Sequence, residues 1–466
     1  MFRGGQEMRS LVDIYERALI GPAMSEKEFD MKVFIPKLNE VVKAYGIRYD
    51  KENPVPSDDA ASDHLFHAAT DFMTQVGVYC LDTNRVMQFS KEEVLAAIKD
   101  APGVCHAGEG KDAAIFGIRK PDDSKMPWFH VGSGIISSSE EYATSLVEAY
   151  ASIEETNSIN APALVDSNRK MPVTAGTPTE FYATIRGLRV GLEALRRAGR
   201  PGLPIMNHHP LPAMAVTQIA ASAPQFGCRP TDGWLCGAIA EMKINHDALI
   251  KAAYLHAWGA NVGAESGPML GGFSGGPPGF AVLCTAYLLM GQLVLKGDYH
   301  LNFPIHFRHS CSSFREVLWA ESVAAQATSR NIAVPTIWGN YCGAGPNTKM
   351  YFYESAAQLL CAVTSGAPAV QTPHPAKAVK VDGITPMEAK FGVEIATAAT
   401  HLNRKKANEI VIKLLEKYES NLATPPEGSR YQECYDVTAR QPREEYRRLY
   451  GEVKEELSRL GIPFQS

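Results

Sequence analysis

The chain has 466 residues, 45% hydrophobic and 21% charged, with a formal net charge of −5, the balance of a globular protein that buries a large core. No basic run offers nucleic acid an electrostatic footprint, and no stretch of ~18 uninterrupted apolar residues spans a membrane. The N-terminus "MFRGGQEMRSLVDIYERAL" lacks the apolar core of an export signal. The nine cysteines, odd in number and without a CxxC pair, imply reduced thiols and a cytoplasmic location.

Residues 1–129 read as an N-terminal extension. "SLVDIYERAL" and "DHLFHAATDFMTQV" have helical spacing, and "GVYCLDTNRVMQFS" (77–90) alternates like a hairpin. Ser90 and Glu93 form a capping box for the helix that follows.

From 130 to 385, short apolar runs alternate with amphipathic helices. "SSSEEYATSLVEAYASI" is a capped helix before "APALVD". Thr177 and Glu180 read as a capping box with Pro178 at the first helical position. Phe181, Ile185, Leu188, Leu192 and Leu195 then form one apolar stripe, which Gly199 and Pro201 end before the strand "GLPIM". "NHDALIKAAYLHAWG" precedes "NVGAE", "SSFREVLWAESVAAQA" (capped by Ser313 and Glu316) precedes "VPTIWGN", and "TKMYFYESAAQLLCAVTSG" precedes "APAVQTP". "GFAVLCTAYLLMGQLVL" (279–295) reads as a buried helix.

Five or six such cycles predict a closed (β/α)8 barrel, an α/β fold. A doubly wound sheet is the competitor, weakened by the lack of a GxGxxG turn. "GGFSGGPPG" lacks Walker spacing and reads as a loop. A capping box at Thr385 and Glu388 opens a C-terminal helical extension, 386–466, and no linker divides the chain.

The stretches "GVYCLDTNRV" (77–86), "AGRPG" (198–202), "GGFSGG" (271–276), "YHLNFPIHFR" (299–308), "AGPNTKM" (344–350) and "QECYDV" (432–437) resemble the monomethylamine:corrinoid methyltransferases of methylotrophic archaea over nearly the whole chain. The resemblance implies a barrel, a homo-oligomer and methyl transfer from an amine to Co(I) of a separate corrinoid protein docked over the barrel mouth. The cobalamin then comes with that partner, and no cofactor is bound tightly by this chain. In the archaeal enzymes pyrrolysine follows the "AGRPG" motif, and its imine binds the amine. Counting from that motif puts Met206 at the matching position, Leu235 and Gly339 where the family has polar groups, and Glu265 at a surviving acidic position.

Glu265, His208 and His209 are the expected catalytic residues. Glu265 ends a strand, where barrel enzymes place their chemistry, and its carboxylate suits a cationic nitrogen or a proton; pairing with an Arg is the alternative. His208 and His209 follow "GLPIM" on an extended segment, so one of the two faces the mouth. Met206, Trp234, Leu235, Trp338, Gly339 and Tyr341 are the expected substrate-binding positions. Trp234 and Trp338 offer aromatic faces for a methylated ammonium, or else fill space vacated by pyrrolysine. No metal site is assigned, since no third ligand stands near the histidine pair, and His306 and His309 of "HFRH" add none.

Methyl transfer requires nitrogen to leave, and a neutral amine leaves only as an amide anion. A quaternary ammonium needs no imine adduct. The expected substrate is therefore a small N-methyl compound, tertiary or quaternary. The rivals are a non-catalytic small-molecule-binding barrel and a metal-assisted hydrolase or lyase using His208 or His209.

Overall fold

The computed structural model describes residues 4–132, 134–165, 171–207 and 214–464. Eight short parallel segments among them close into a ring: β1 (Trp128–Val131), β2 (Ser158–Ile159), β3 (the bridge residues Ile205 and Met206), β4 (Gly233–Gly237), β5 (Asn261–Ser266), β6 (Tyr299–Asn302), β7 (Thr336–Trp338) and β8 (Ala369–Gln371). Ile159 opposes Ile205, and Met206 opposes Gly233. The longest ladder runs from Gly233 opposite Asn261 to Gly237 opposite Glu265. β8 returns to β1 with Ala369 opposite Trp128, which closes the barrel.

A helix follows every strand: α1 (Glu140–Ala151), α2 (Pro178–Arg197), α3 (Ala215–Ala221), α4 (His246–Trp258), α5 (Pro277–Met290), α6 (Arg315–Asn331), α7 (Lys349–Thr364) and α8 (Pro386–Ala399). This is the (β/α)8 barrel expected from the alternating pattern. Side chains of Ser139, Thr177, Asn245 and Thr348 accept free N–H groups in the first turns of α1, α2, α4 and α7. Thr385 and Glu388 form the full capping box on α8, as Ser90 and Glu93 do on the N-terminal helix Lys91–Lys99.

Several details depart from the sequence reading. α8 completes the barrel wall beyond residue 385. Strand β2 lies before "APALVD", whose Ala163–Leu164 pairs instead with Ile136–Ser137. Glu180 accepts from Gly176 N–H and Thr217 Oγ1 rather than closing a box on Thr177. Ser313 does not cap α6, whose N-cap is Phe314; its hydroxyl is drawn into a buried network with Glu354 and Gln358. At Glu180 and Ser313 a tertiary partner takes the side chain from the local cap.

Strand alternation sorts the core into two zones. Phe116, Trp128, Met206, Tyr299, Leu301, Ile337 and Ala369 pack inside the barrel. The hairpin of Cys105–Ala107 and Ala114–Phe116 closes the N-terminal end. Its Gly108 and Glu109 N–H groups donate to the carbonyls of Thr231 and Gly202, just before β4 and β3, and Phe116 stacks on Trp128 at 5.1 Å. The opposite, C-terminal end is left for a site.

Gly263 faces the axis, where the Tyr299 ring takes the space: a Cβ there would lie 2.5 Å from the ring's Cζ. Gly263→Ala is expected to cost about 1–3 kcal/mol through overpacking, read as a lower urea midpoint with an unchanged slope.

The extensions cover helices that are buried nearly all round. Helix Asp59–Val76 packs on α5 and α6, and helix Arg404–Tyr418 packs on α7. The segment Pro277–Leu295 is long and apolar enough to cross a membrane, but 94% of it lies inside the protein. All nine cysteines are buried free thiols.

Candidate active site

A cavity of about 410 Å³ opens at the C-terminal end of the barrel, and every strand contributes to it. Gly134 follows β1, Asn160 follows β2 and Asn207 follows β3. Leu235 and Gly237 belong to β4, and Glu265 to β5. Leu301 and Phe303 come from β6 and its exit, Tyr341 follows β7, and Gln371 and His374 end β8. Beyond Glu265 the cavity extends between α3 and α4, where Gln218, Asn245, Asp247 and Lys251 line it.

Glu265 points inward because Ala264 and Ser266 take the other face of β5. Gly237 opposite it has no side chain, and a Cβ there would lie 3.5 Å from Glu265 Oε2. Burial pushes the Glu265 carboxyl above the ordinary range, while the Lys251 ammonium pulls it back. A cation arriving beside it would favour its charged form.

A hydrogen-bond chain organises the far wall. Trp128 Nε1–H donates to Ser158 Oγ at 2.7 Å. The Ser158 hydroxyl lies 2.7 Å from His130 Nδ1, and His130 Nε2 lies 3.0 Å from Asn160 Oδ1. Asn160 Oδ1 can only accept, so His130 donates to it from Nε2, and Nδ1 of the neutral ring accepts the Ser158 proton. Burial lowers His130 to about 4, which keeps the ring neutral. Asn207 Nδ2 also donates to Asn160 Oδ1. Asn160 Nδ2 and Asn207 Oδ1 then have no hydrogen-bond partner among the described residues.

His374 is 6% exposed, and neither ring nitrogen has a partner among the described residues. Burial, with help from His130, lowers it to about 3. Its ring lies over Tyr341 with centroids 4.6 Å apart, and Tyr341 lies 6.0 Å from Phe303. The cavity thus combines one carboxyl facing inward, an aromatic pair, neutral amide and imidazole groups with unmet capacity, and a lysine at its outer end.

Of the expected residues, Glu265, Leu235 and Tyr341 line this cavity. Gly339 faces it, and its missing side chain leaves room for Gln371, whose Oε1 would lie 2.7 Å from a Cβ at 339. Met206 packs in the barrel interior with Tyr299. His208 and His209 lie outside the described residues. The two tryptophans require a correction. Neither lines the cavity, because each is one residue out of phase with the inward positions Leu235 and Ile337. Trp234 instead meets Trp258 of α4 edge-on at 5.0 Å, and both belong to the core between strands and helices. They are structural, and Phe303 and Tyr341 supply the aromatic faces. His306 and His309 cluster with Phe314 on the loop after β6, away from the cavity lining.

The sequence reading missed Asn160, Asn207, Phe303, Gln371, His374 and Lys251. The first five stand one to four residues past an apolar core position of a strand, and that spacing was the available signal. Among the described residues, Cys80, Asp82 and His246 bring liganding atoms within 4.8 Å of one another, but they sit where the hairpin of Val78–Cys80 and Arg85–Met87 meets α4 and not in the cavity.

Comparison with known proteins agrees with this architecture. The family model for "Monomethylamine methyltransferase MtmB" matches residues 10–462. Monomethylamine methyltransferase MtmB2 of Methanosarcina acetivorans is 29% identical over 458 residues, 97% of this chain and 98% of the relative. MtmB of Methanosarcina mazei is similar to the same extent. The crystal structure of Methanosarcina barkeri MtmB superposes with a TM-score of 0.93 at 28% identity, covering 97% of this chain and 98% of that one, as does a hydroxylamine complex of MtmB. With the barrel shared and the match running almost from end to end, the chain belongs to the monomethylamine methyltransferase MtmB family and is a methyltransferase.

Proposed function

We propose that this protein moves a methyl group from a small N-methyl ammonium compound, tertiary or quaternary, to the Co(I) of a partner corrinoid protein, and that it does so without pyrrolysine. The observation that carries this reading is Glu265 facing the same cavity as Phe303 and Tyr341 at the catalytic end of the barrel. A carboxylate and two aromatic faces are complementary to a methylated cation. The relatives' name specifies monomethylamine as their substrate; here Met206 is an apolar core residue at the position where an imine-bearing residue is expected, so the donor must leave without an adduct.

The chemistry is a displacement at carbon. The bond from methyl to nitrogen breaks, and its electron pair stays on nitrogen, which leaves as a neutral amine. A corrinoid Co(I), when the partner presents it, supplies the electron pair that accepts the methyl. The chain's own contribution is to hold the cation, aim its methyl at the open mouth and keep water from the nitrogen. The rim suits a docked partner: Val165, Met171, Met214, Phe273, Phe307 and Val379 stand 39–78% exposed on loops at that end.

The test is methylation of a Co(I) corrinoid protein, followed by its visible spectrum, across a panel of N-methyl donors. Tertiary or quaternary donors are expected to turn over, and Tyr341→Ala to weaken their binding about tenfold, as the loss of a cation–π contact of roughly 1 kcal/mol or more implies. Methylation from monomethylamine alone, with no effect at Tyr341, contradicts the substrate class. Ligand binding with no methylation by any donor favours the binding barrel.

A further inference from the structure

The cavity reaches from the barrel mouth to α3 and α4, and at that far end a lysine stands beside an acid. At the barrel mouth stand Glu265, Phe303, Tyr341 and His374. At the other end, between α3 and α4, stands Lys251. Lys251 is half-buried, lies one helical turn beyond Asp247 on the same face of α4, and makes no ion pair or hydrogen bond among the described residues. Asp247 is committed elsewhere: its Oδ2 accepts the Ala215 N–H at 2.7 Å and so fixes the start of α3. Lys251 is close enough to act on the Glu265 carboxyl through space, yet the two are not within ion-pair distance. A cation and a carboxyl that share one cavity without joining leave room for a ligand between them.

We propose, building on the function argued above, that the substrate is a zwitterion: an N-methylated ammonium bearing a carboxylate on a short carbon chain. The ammonium sits at Glu265 and the aromatic pair, with its methyl toward the mouth. The carboxylate reaches Lys251. Two charges of opposite sign, each desolvated against its complement, discriminate against a simple amine that leaves Lys251 unanswered. Asn245, whose Oδ1 caps α4, lines the same end and can donate its amide N–H to the second carboxylate oxygen. The N-methyl group leaves the nitrogen as before, so the product is the same carboxylate with one methyl fewer.

The experiment is calorimetric binding to the full chain of two probes, N,N,N-trimethylglycine and tetramethylammonium, with wild type and Lys251→Met. Met keeps the length and removes the charge. Wild type is expected to bind trimethylglycine at least tenfold more tightly than tetramethylammonium, and Lys251→Met to erase that preference. Lys251→Arg, which restores the charge, should recover part of the preference. Equal affinity for the two probes in wild type, or a preference that survives Lys251→Met, overturns the zwitterion and leaves the methylammonium reading standing. Binding of neither probe overturns both readings. A Lys251→Met protein that loses tetramethylammonium equally also overturns the proposal, since Lys251 is then supporting the fold of the site.

Discussion

Glu265→Gln is expected to abolish methyl transfer to a practical degree, by a hundred- to thousandfold, while the protein folds normally. Glu265 is the carboxyl that β5 aims into the barrel mouth, and Gly237 clears the space before it. A cation drawn out of water into this cavity needs a formal negative charge, and removing one partner of a buried pair costs ~3–5 kcal/mol. Gln fills the same volume and can still hydrogen-bond, so the barrel loses no packing. Because burial raises the carboxyl above its ordinary range, substrate affinity should also fall on acidification earlier than an exposed Glu would allow. Glu265→Gln should flatten that acid limb. Calorimetric affinity against pH, alongside the corrinoid methylation rate, checks both points. An unchanged rate in Glu265→Gln would make the residue structural and move the site elsewhere.

The thermal midpoint is expected to rise as the pH is lowered from about 9 to about 6.5, and then to rise more slowly. Burial raises Glu241 and Glu321 to about 8 and Glu354 and Glu388 to about 7, against 4.5 for an ordinary Glu. Between those limits the native state holds protons that the unfolded chain has released. The stability these groups contribute is full below pH 4.5 and is lost as pH rises through 7 to 8. Glu321 illustrates the cause: one oxygen accepts from Asn340 at 3.1 Å, and the other has no partner among the described residues.

Buried imidazoles work in the opposite sense. His130 is lowered to about 4, and His300 and His374 to about 3. Below about 6.5 the unfolded chain takes up protons that these rings refuse, so their contribution is lost as pH falls. Above that value the carboxyls act, joined toward pH 9 by buried cysteine thiols that burial also raises; each carboxyl is worth on the order of 1 kcal/mol over the interval, or several degrees together. Glu321→Gln should reduce the alkaline loss. A midpoint that climbs steadily from pH 6.5 to 9 in calorimetric scans would contradict the assignment.

Much of the architecture was already legible in local pattern. The recurring capped helix and short apolar run announced the barrel, because a helix stripe and a strand each need a partner surface, and parallel strands joined by helices provide it for both. Pro178, Thr385 and Asn245 mark helix starts through bonds made within a few residues. Such features depend on near neighbours and can be read without a fold. Glu265 was legible in the same way, as an acid at the end of a strand.

What the sequence by itself determined, then, was the barrel, its approximate cycle of strands and helices, and one acidic position at the catalytic end. Only the tertiary structure decided which side chains share the cavity. Trp234 and Leu235 are adjacent in sequence, yet one meets Trp258 in the outer core and the other lines the site, because strand phase is set by pairing with the neighbouring strands. Gln371 takes the space left by Gly339 from one strand away, and Lys251 on α4 shares a cavity with Glu265 on β5. These juxtapositions join residues whose separation along the chain carries no signal, and closing the ring of strands is what brings them together.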